Sequence, residues 1–383
     1  MTDMIERIHA LHREEHLRNE PLVSASDLPL SYEAINTEWL TNVLCRDIPG
    51  AKVDAFDLGA VDNGSSNRRK IAVRYNDSGR RAGLPAKLFC KATHEIPNRV
   101  GLGVPGAILC EQTFFHKVRP LLDIEAPEAV FGHYDPESFN SILMMKDISD
   151  SVDSFCDYDT PMSRPRVDSQ MELLAKLHGR FLDGPELQST LAVLPTFVGF
   201  MKRMEQFGFD KAAYQGFVDA EAVIPPRLFQ QADKFWAKTV EATQRQDALP
   251  QTFVHNDVHL KNWYVMPGDR MGLGDWQCCT RGHWARDLAY AISTSCSIGN
   301  RRLWERELIA LYLDKMHEAG APRISFDEAW SHYRQQMFSA LAFWTVTLSP
   351  PPGLADMQPR DITLEFIRRI STAMDDLDSM TAG

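Results

Sequence analysis

The texture of the chain changes once, near Asp147, and that change limits the folds open to it. Short runs rich in β-branched and aliphatic residues recur before it, at 53–58, 70–75, 86–91, 129–132 and 141–145. One helical pattern interrupts them, at 106–122, where Ile108, Leu109, Thr113, Phe114 and Val118 fall at helical spacing. Strands, a helix and strands again predict an antiparallel sheet with a helix against it. Beyond Asp147 the spacing predicts helices over 171–182, 197–207, 226–246, 301–319, 326–348 and 361–380. Ahead of the strands, 4–18 reads as an amphipathic helix, and Ser31 is placed to cap a second. The expected organisation is α+β: a helical extension at 1–48, a small antiparallel-sheet lobe at 49–147 and a larger, mainly helical lobe at 148–383. A chain of 383 residues exceeds the size at which one core stops growing, which supports at least two packed units.

Composition removes several functional classes. A formal charge of −11 repels nucleic acid backbones and anionic membrane surfaces at long range, so neither is an expected partner. The seven cysteines lack the paired C-x-x-C spacing of a zinc ribbon and read as reduced thiols of a cytoplasmic protein. The charged N-terminal stretch has no apolar core of a secretory signal, and no run approaches the roughly 18 apolar residues of a membrane span. Oligomeric state has no signature in the sequence.

The most informative stretch is 253–292, FVHNDVHLKNWYVMPGDRMGLGDWQCCTRGHWARDLAYAI. A short apolar entry leads into His255-Asn-Asp257-Val-His259-Leu-Lys-Asn262; a strand, a Pro-Gly-Asp turn and a second strand then reach Asp275. That is the pattern of a hairpin with polar residues at its rim. Phosphoryl transfer from ATP needs a carboxylate to orient or deprotonate the attacking hydroxyl, and oxygen ligands for magnesium. Asp257, Asn262 and Asp275 supply those parts in order.

These residues carry a family resemblance. H-N-D-V-H-L-K-N resembles the H-x-D-x-x-x-x-N motif of aminoglycoside phosphotransferases, choline kinases and the ecdysteroid-kinase-like proteins. Gly274-Asp275-Trp276-Gln277 is similar to the family's magnesium-binding D-[FW]-[EG] element, with Gln277 departing at the third position. Gly282-His-Trp-Ala-Arg-Asp287-Leu-Ala is similar to G-x-x-x-x-D-L-A, whose aspartate supports the catalytic loop, and the helix holding Ala175-Lys-Leu-His178 resembles the group's A-x-L-H signature. The resemblance implies a bilobal protein-kinase-like fold that uses ATP and Mg2+. It implies Asp257 as catalytic base, Asn262 and Asp275 as metal ligands, Lys91 on the phosphates and Glu111 holding Lys91. The phosphate loop is expected near Gly64, Ser65 and Ser66, although that stretch lacks G-x-G-x-x-G. The literal G-x-G-x-x-G at Gly101-Leu-Gly-Val-Pro-Gly106 follows the lysine strand and reads as a flexible loop.

Other readings stand beside this one. Asp257 alone could cap a turn, and Lys91 or Glu111 could be solvated surface charges. His255, Asp257 and His259 could hold a transition metal in a hydrolase. A catalytically silent kinase-like module that binds a ligand or protein is the third possibility. Trp330, Tyr333, Phe338, Phe343 and Trp344 share one predicted helix and are expected in its core. The leading expectation is a kinase for a small hydroxylated acceptor.

Overall fold

The computed structural model describes residues 2–18, 20–351 and 357–382. Backbone contacts divide the chain into two compact units, Met1–Pro120 with Pro127–Ser151, and Leu121–Ala126 with Val152–Gly383.

The first unit opens with helices α1 (Thr2–Arg18) and α2 (Thr37–Leu44). Five strands follow: β1 (Val53–Asn63), β2 (Asn67–Tyr75), β3 (Lys87–Ala92), β4 (Ala129–Tyr134) and β5 (Ser141–Lys146). Between them lie the short helices α3 (Asp77–Arg81), α4 (Ile96–Asn98) and α5 (Ala107–Thr113). The sheet is antiparallel throughout, in the order β1-β2-β3-β5-β4. Alternation along β2 shows why one face is core: Ile71, Val73 and Tyr75 are buried while Ala72 and Arg74 are exposed. That face packs with Trp39, Leu40, Leu88, Cys90, Ile142 and Met144.

Two local expectations in this unit are corrected. Ser31 caps only a three-residue 3-10 turn (Tyr32–Ala34), and the helix proper starts after Asn36, whose side chain accepts from the Trp39 N–H at 2.8 Å. The segment read as a flexible glycine loop is wound instead: a π-helical turn spans Arg99–Gly103, and Gly106 (φ 94°) starts α5. Arg99 holds it, being fully buried and donating to Thr93 O at 3.1 Å and to Glu15 of α1 at 2.6 Å. A Cβ on Gly103 would sit 2.2 Å from the Phe139 ring, so the glycine is there for close packing.

The second unit is mainly helical. In chain order it contains β6 (Ser154–Phe155), α6 (Arg164–Phe181), α7 (Phe197–Gln206), α8 (Phe209–Asp219), α9 (Pro226–Phe229) and α10 (Ala232–Asp247). Strands β7 (Thr252–Val254), β8 (Trp263–Met266), β9 (Arg270–Leu273) and β10 (Thr280–Gly282) come next, followed by α11 (Ala285–Ser295), α12 (Ile298–Glu318), α13 (Phe326–Leu348) and α14 (Arg360–Asp376). The expected helix at 226–246 is broken into α9 and α10 around Gln230 and Gln231. Strands β8 and β9 form the expected hairpin, with β6 on the outer edge of β8, and β7 pairs with β10. Tyr333, Phe338 and Trp344 of α13 are buried, as the aromatic pattern predicts. No helix among the described residues is long and apolar enough to cross a membrane.

Candidate active site

In the second unit, β7 delivers the chain into a loop, His255–Asn262, and the β8–β9 hairpin returns it to Asp275. The Gly274 peptide joins the two ends. Its N–H donates to Asn262 O at 2.8 Å, and its carbonyl accepts from His255 Nε2 at 2.9 Å. Asp275 is thereby fastened beside the loop that carries Asp257 and Asn262. It adopts a left-handed conformation (φ 58°, ψ 67°), uncommon for a residue other than glycine. Trp276 anchors the next position: it is fully buried, donates to Leu273 O at 3.1 Å and meets the His255 ring edge-on at 4.5 Å.

Asp257 is held from three sides. The Asn262 amide nitrogen donates to its backbone O at 2.7 Å and to Oδ2 at 3.1 Å, and the Tyr290 hydroxyl donates to Oδ1 at 3.3 Å. His259 Nε2 stands 3.6 Å from Oδ2. Burial works against ionisation of this carboxyl, but attraction from His259 and the Asn262 hydrogen bond outweigh it, and its pKa lies below the ordinary value. The group is therefore a carboxylate at neutral pH.

Beneath the loop lies the fully buried Asp287 of α11. Its Oδ2 accepts from His255 N–H at 2.7 Å and from His178 Nε2 at 3.2 Å; its Oδ1 accepts from Asn256 N–H at 2.8 Å. His178 is oriented in turn by Tyr312, whose hydroxyl meets Nδ1 at 2.7 Å. Asp287 thus ties down two successive backbone amides of the loop, including that of Asn256, which has φ 67°.

The metal-hydrolase reading fails on His255. Both of its ring nitrogens are spent, Nε2 on Gly274 O and Nδ1 as acceptor of the Asp257 N–H at 3.1 Å. Burial also holds this imidazole below its usual pKa, in keeping with a neutral ring whose proton is on Nε2. No group of three or more His, Cys, Asp or Glu residues suited to a metal occurs among the described residues. Of the two expected ligands, Asn262 commits its amide nitrogen to Asp257 and keeps its amide oxygen, and Asp275 follows Gly274, whose N–H is bonded to the Asn262 carbonyl. An amide oxygen and one carboxylate fit magnesium, which is commonly bound through one or two protein carboxylates with substrate phosphates completing its shell.

In the first unit, Lys91 of β3 and Glu111 of α5 form an ion pair at 2.7 Å, with side chains 15% and 12% exposed. This excludes the reading of either as a solvated surface charge. Gly64, Ser65 and Ser66 occupy the β1–β2 turn, where Gly64 N–H donates to Ser66 O at 3.0 Å. Asn98 Nδ2 donates to the carbonyls of Gly64 and Ser65 at 3.0 and 2.8 Å. The turn is fixed through its carbonyls.

Asn256, Arg286 and Tyr290 were not singled out from the sequence. One signal was available for the last: Tyr290 follows Asp287 by three positions, which puts both on one face of α11.

With this geometry in place, the class of the molecule follows from its fold. The chain is similar to a protein from Ralstonia eutropha JMP134 assigned to the aminoglycoside phosphotransferases, at TM-score 0.56 and 16% identity over 88% of this chain and 96% of that one. It is also similar to aminoglycoside 2'-phosphotransferase-IIIa, solved as its GDP complex, at TM-score 0.53 and 11% identity over 88% and 99% of the two chains. At such identities the likeness concerns fold: a small antiparallel sheet and a larger helical part of the protein-kinase-like class. The family finding is narrower and closer to the chemistry. Residues 161–325, which include Asp257, Asn262, Asp275 and Asp287, match the model of the phosphotransferase enzyme family. The resemblance to the aminoglycoside phosphotransferases read from the motifs is borne out. No curated protein matches the chain.

Proposed function

We propose that the protein is an ATP- and magnesium-dependent kinase that transfers a γ-phosphoryl group to a hydroxyl of a small acceptor. The observation that carries this is the doubly bonded Gly274 peptide, which fastens Asp275 to the loop holding Asp257 and Asn262. The family match over that segment and a fold neighbour solved with a purine nucleotide support it.

In this reading Asp257 accepts a hydrogen bond from the acceptor hydroxyl and aims its oxygen at the γ-phosphorus. The oxygen–phosphorus bond forms as the bond to the β,γ-bridging oxygen breaks, and ADP leaves. Asp257 takes the proton. Its depressed pKa makes it a weak base, so proton transfer comes late, once bonding to phosphorus has acidified the hydroxyl. Asn262 and Asp275 would hold the magnesium ion, which supplies charge neutralisation at the β and γ phosphate oxygens. Lys91, steadied by Glu111, serves the phosphates, and the β1–β2 turn at Gly64, Ser65 and Ser66 is the proposed phosphate loop. A soluble cytoplasmic setting, where ATP is available, goes with this reading.

The test is Asp257→Ala, assayed by ADP release across a panel of hydroxyl compounds and by thermal shift with Mg·ATP. Turnover should fall by roughly a hundredfold or more, while Mg·ATP still raises the melting temperature. Undiminished turnover in the variant rejects the role of Asp257. A wild type that gains no stability from Mg·ATP points instead to a silent binding module.

A further inference from the structure

Helix α11 does more at the catalytic loop than place Asp287. Arg286 is 1% exposed, and its Nη2 donates to Asn256 O at 3.0 Å. Adjacent residues of the helix therefore grip both sides of one residue, Asp287 taking the Asn256 N–H and Arg286 its carbonyl. Asn256 is left-handed, at φ 67°, and immediately precedes Asp257. Its side-chain nitrogen is also spent, donating to Cys278 O at 3.0 Å and Thr280 Oγ1 at 2.6 Å. One turn further along the helix, Tyr290 donates to the Asp257 carboxylate.

The surroundings of Arg286 show that it is not an ordinary structural cation. Its guanidinium carbon lies 4.7 Å from the ring centres of Tyr290 and Phe343 and 5.3 Å from that of Phe197. Among the described residues, Nε and Nη1 have no hydrogen-bond partner. Burying a guanidinium with so few partners is costly, and an apolar side chain packs among three rings at least as well. What an apolar side chain lacks is the hydrogen bond to Asn256 O.

We propose that Arg286 and Tyr290 are positioning residues for Asp257: Arg286 fixes the left-handed peptide that presents it, and Tyr290 fixes the rotamer of its carboxylate. This rests on Asp257 being the group that orients the phosphoryl acceptor. The two residues act on Asp257 and not on the nucleotide.

The experiment is a double-mutant cycle on the full chain, with Mg·ATP as substrate and water as acceptor, read as ADP release. Tyr290→Phe keeps the ring over Arg286 and removes only the hydroxyl; Arg286→Met keeps the apolar packing. Each is expected to lower kcat by about ten- to a hundredfold, with KM for Mg·ATP changed by less than about twofold. In an Asp257→Asn background the same substitutions should cost nothing further, because the group they position is already gone. Equal losses in both backgrounds, or no loss in either, overturn the positioning role while the kinase reading stands. A wild type that releases no ADP from Mg·ATP, with water or with any hydroxyl compound of the panel, and gains no melting temperature from it overturns the kinase reading and the positioning role with it. Melting temperatures of all variants, measured in parallel, separate misfolding from the kinetic effect, and Tyr290→Phe decides the matter if Arg286→Met does not fold.

Discussion

Asp287 shows how much one buried carboxylate can organise. It accepts from two backbone amides and one imidazole with no exposure to water, so its removal leaves several buried donors without acceptors. Asp287→Ala is expected to cost about 3–5 kcal/mol, seen as a melting temperature lower by roughly 10 °C. The contribution depends on pH in a definite direction. Burial pushes this carboxyl up, but the hydrogen bond and charge of His178, with His255 and Arg286 nearby, bring it below its ordinary value of 3.8. A folded pKa below the unfolded one means that the stabilisation is complete above about pH 4 and is lost as the pH falls through the folded value. The deficit of Asp287→Ala against wild type should therefore shrink in acid. His94 of the first unit follows the same sign from another cause. Burial lowers its pKa to about 4 from 6.5, and its Nε2 has no partner, so stability is full above 6.5 and falls as the pH drops toward 4. His94→Leu should flatten the wild-type loss of melting temperature between pH 7 and about pH 5.

At the scale of elements, close approach between helices decides where substitution is tolerated. A Cβ on Gly216 of α8 would lie 1.8 Å from Thr345 O of α13, a backbone atom that cannot rotate away. In an isolated helix, Gly→Ala gains up to about 1 kcal/mol. Here that gain is outweighed by forcing α8 off α13, and Gly216→Ala should lower the unfolding free energy by about 1–3 kcal/mol in urea melts. Gly179 of α6 faces a milder conflict, with Met316 O at 2.7 Å and Ala319 Cβ at 2.8 Å, so Gly179→Ala should cost less. The elements also show what pattern reading can reach. All five strands of the first sheet were legible as short runs rich in β-branched and aliphatic residues, alternating at a period of two in β2 and continuously apolar in β5. The segment 99–106 was not, because the glycine spacing alone carries no trace of the Arg99–Glu15 pair that winds it. Helices α8 and α11 lie outside the segments whose spacing predicts a helix. Every residue of α11 is buried, so its polar stripe of Arg286, Asp287, Ser293 and Thr294 faces protein and not water.

Across the whole molecule, the proposed function assigns work to both units. Lys91 belongs to one, and Asn262 and Asp275 to the other. Lys91→Met and Asp275→Asn are each expected to reduce the rise in melting temperature on adding Mg·ATP, with the ligand-free value changed by only a few degrees, as a thermal-shift titration will show. A variant that keeps the full Mg·ATP response removes that residue from the assignment.

The sequence by itself determined the α+β order of strands and helices, the family resemblance, and which residues are proposed to carry the chemistry, because motif spacing and hydrophobic period are local properties of the chain. The tertiary structure alone decided that His255 has no nitrogen left for a metal, that Asn262 turns its amide nitrogen to Asp257, and that Arg286, Asp287 and Tyr290 clamp the loop from below. Those assignments depend on which donors and acceptors remain after folding has paired the rest. Pairing between residues some thirty positions apart leaves no periodic mark in the chain.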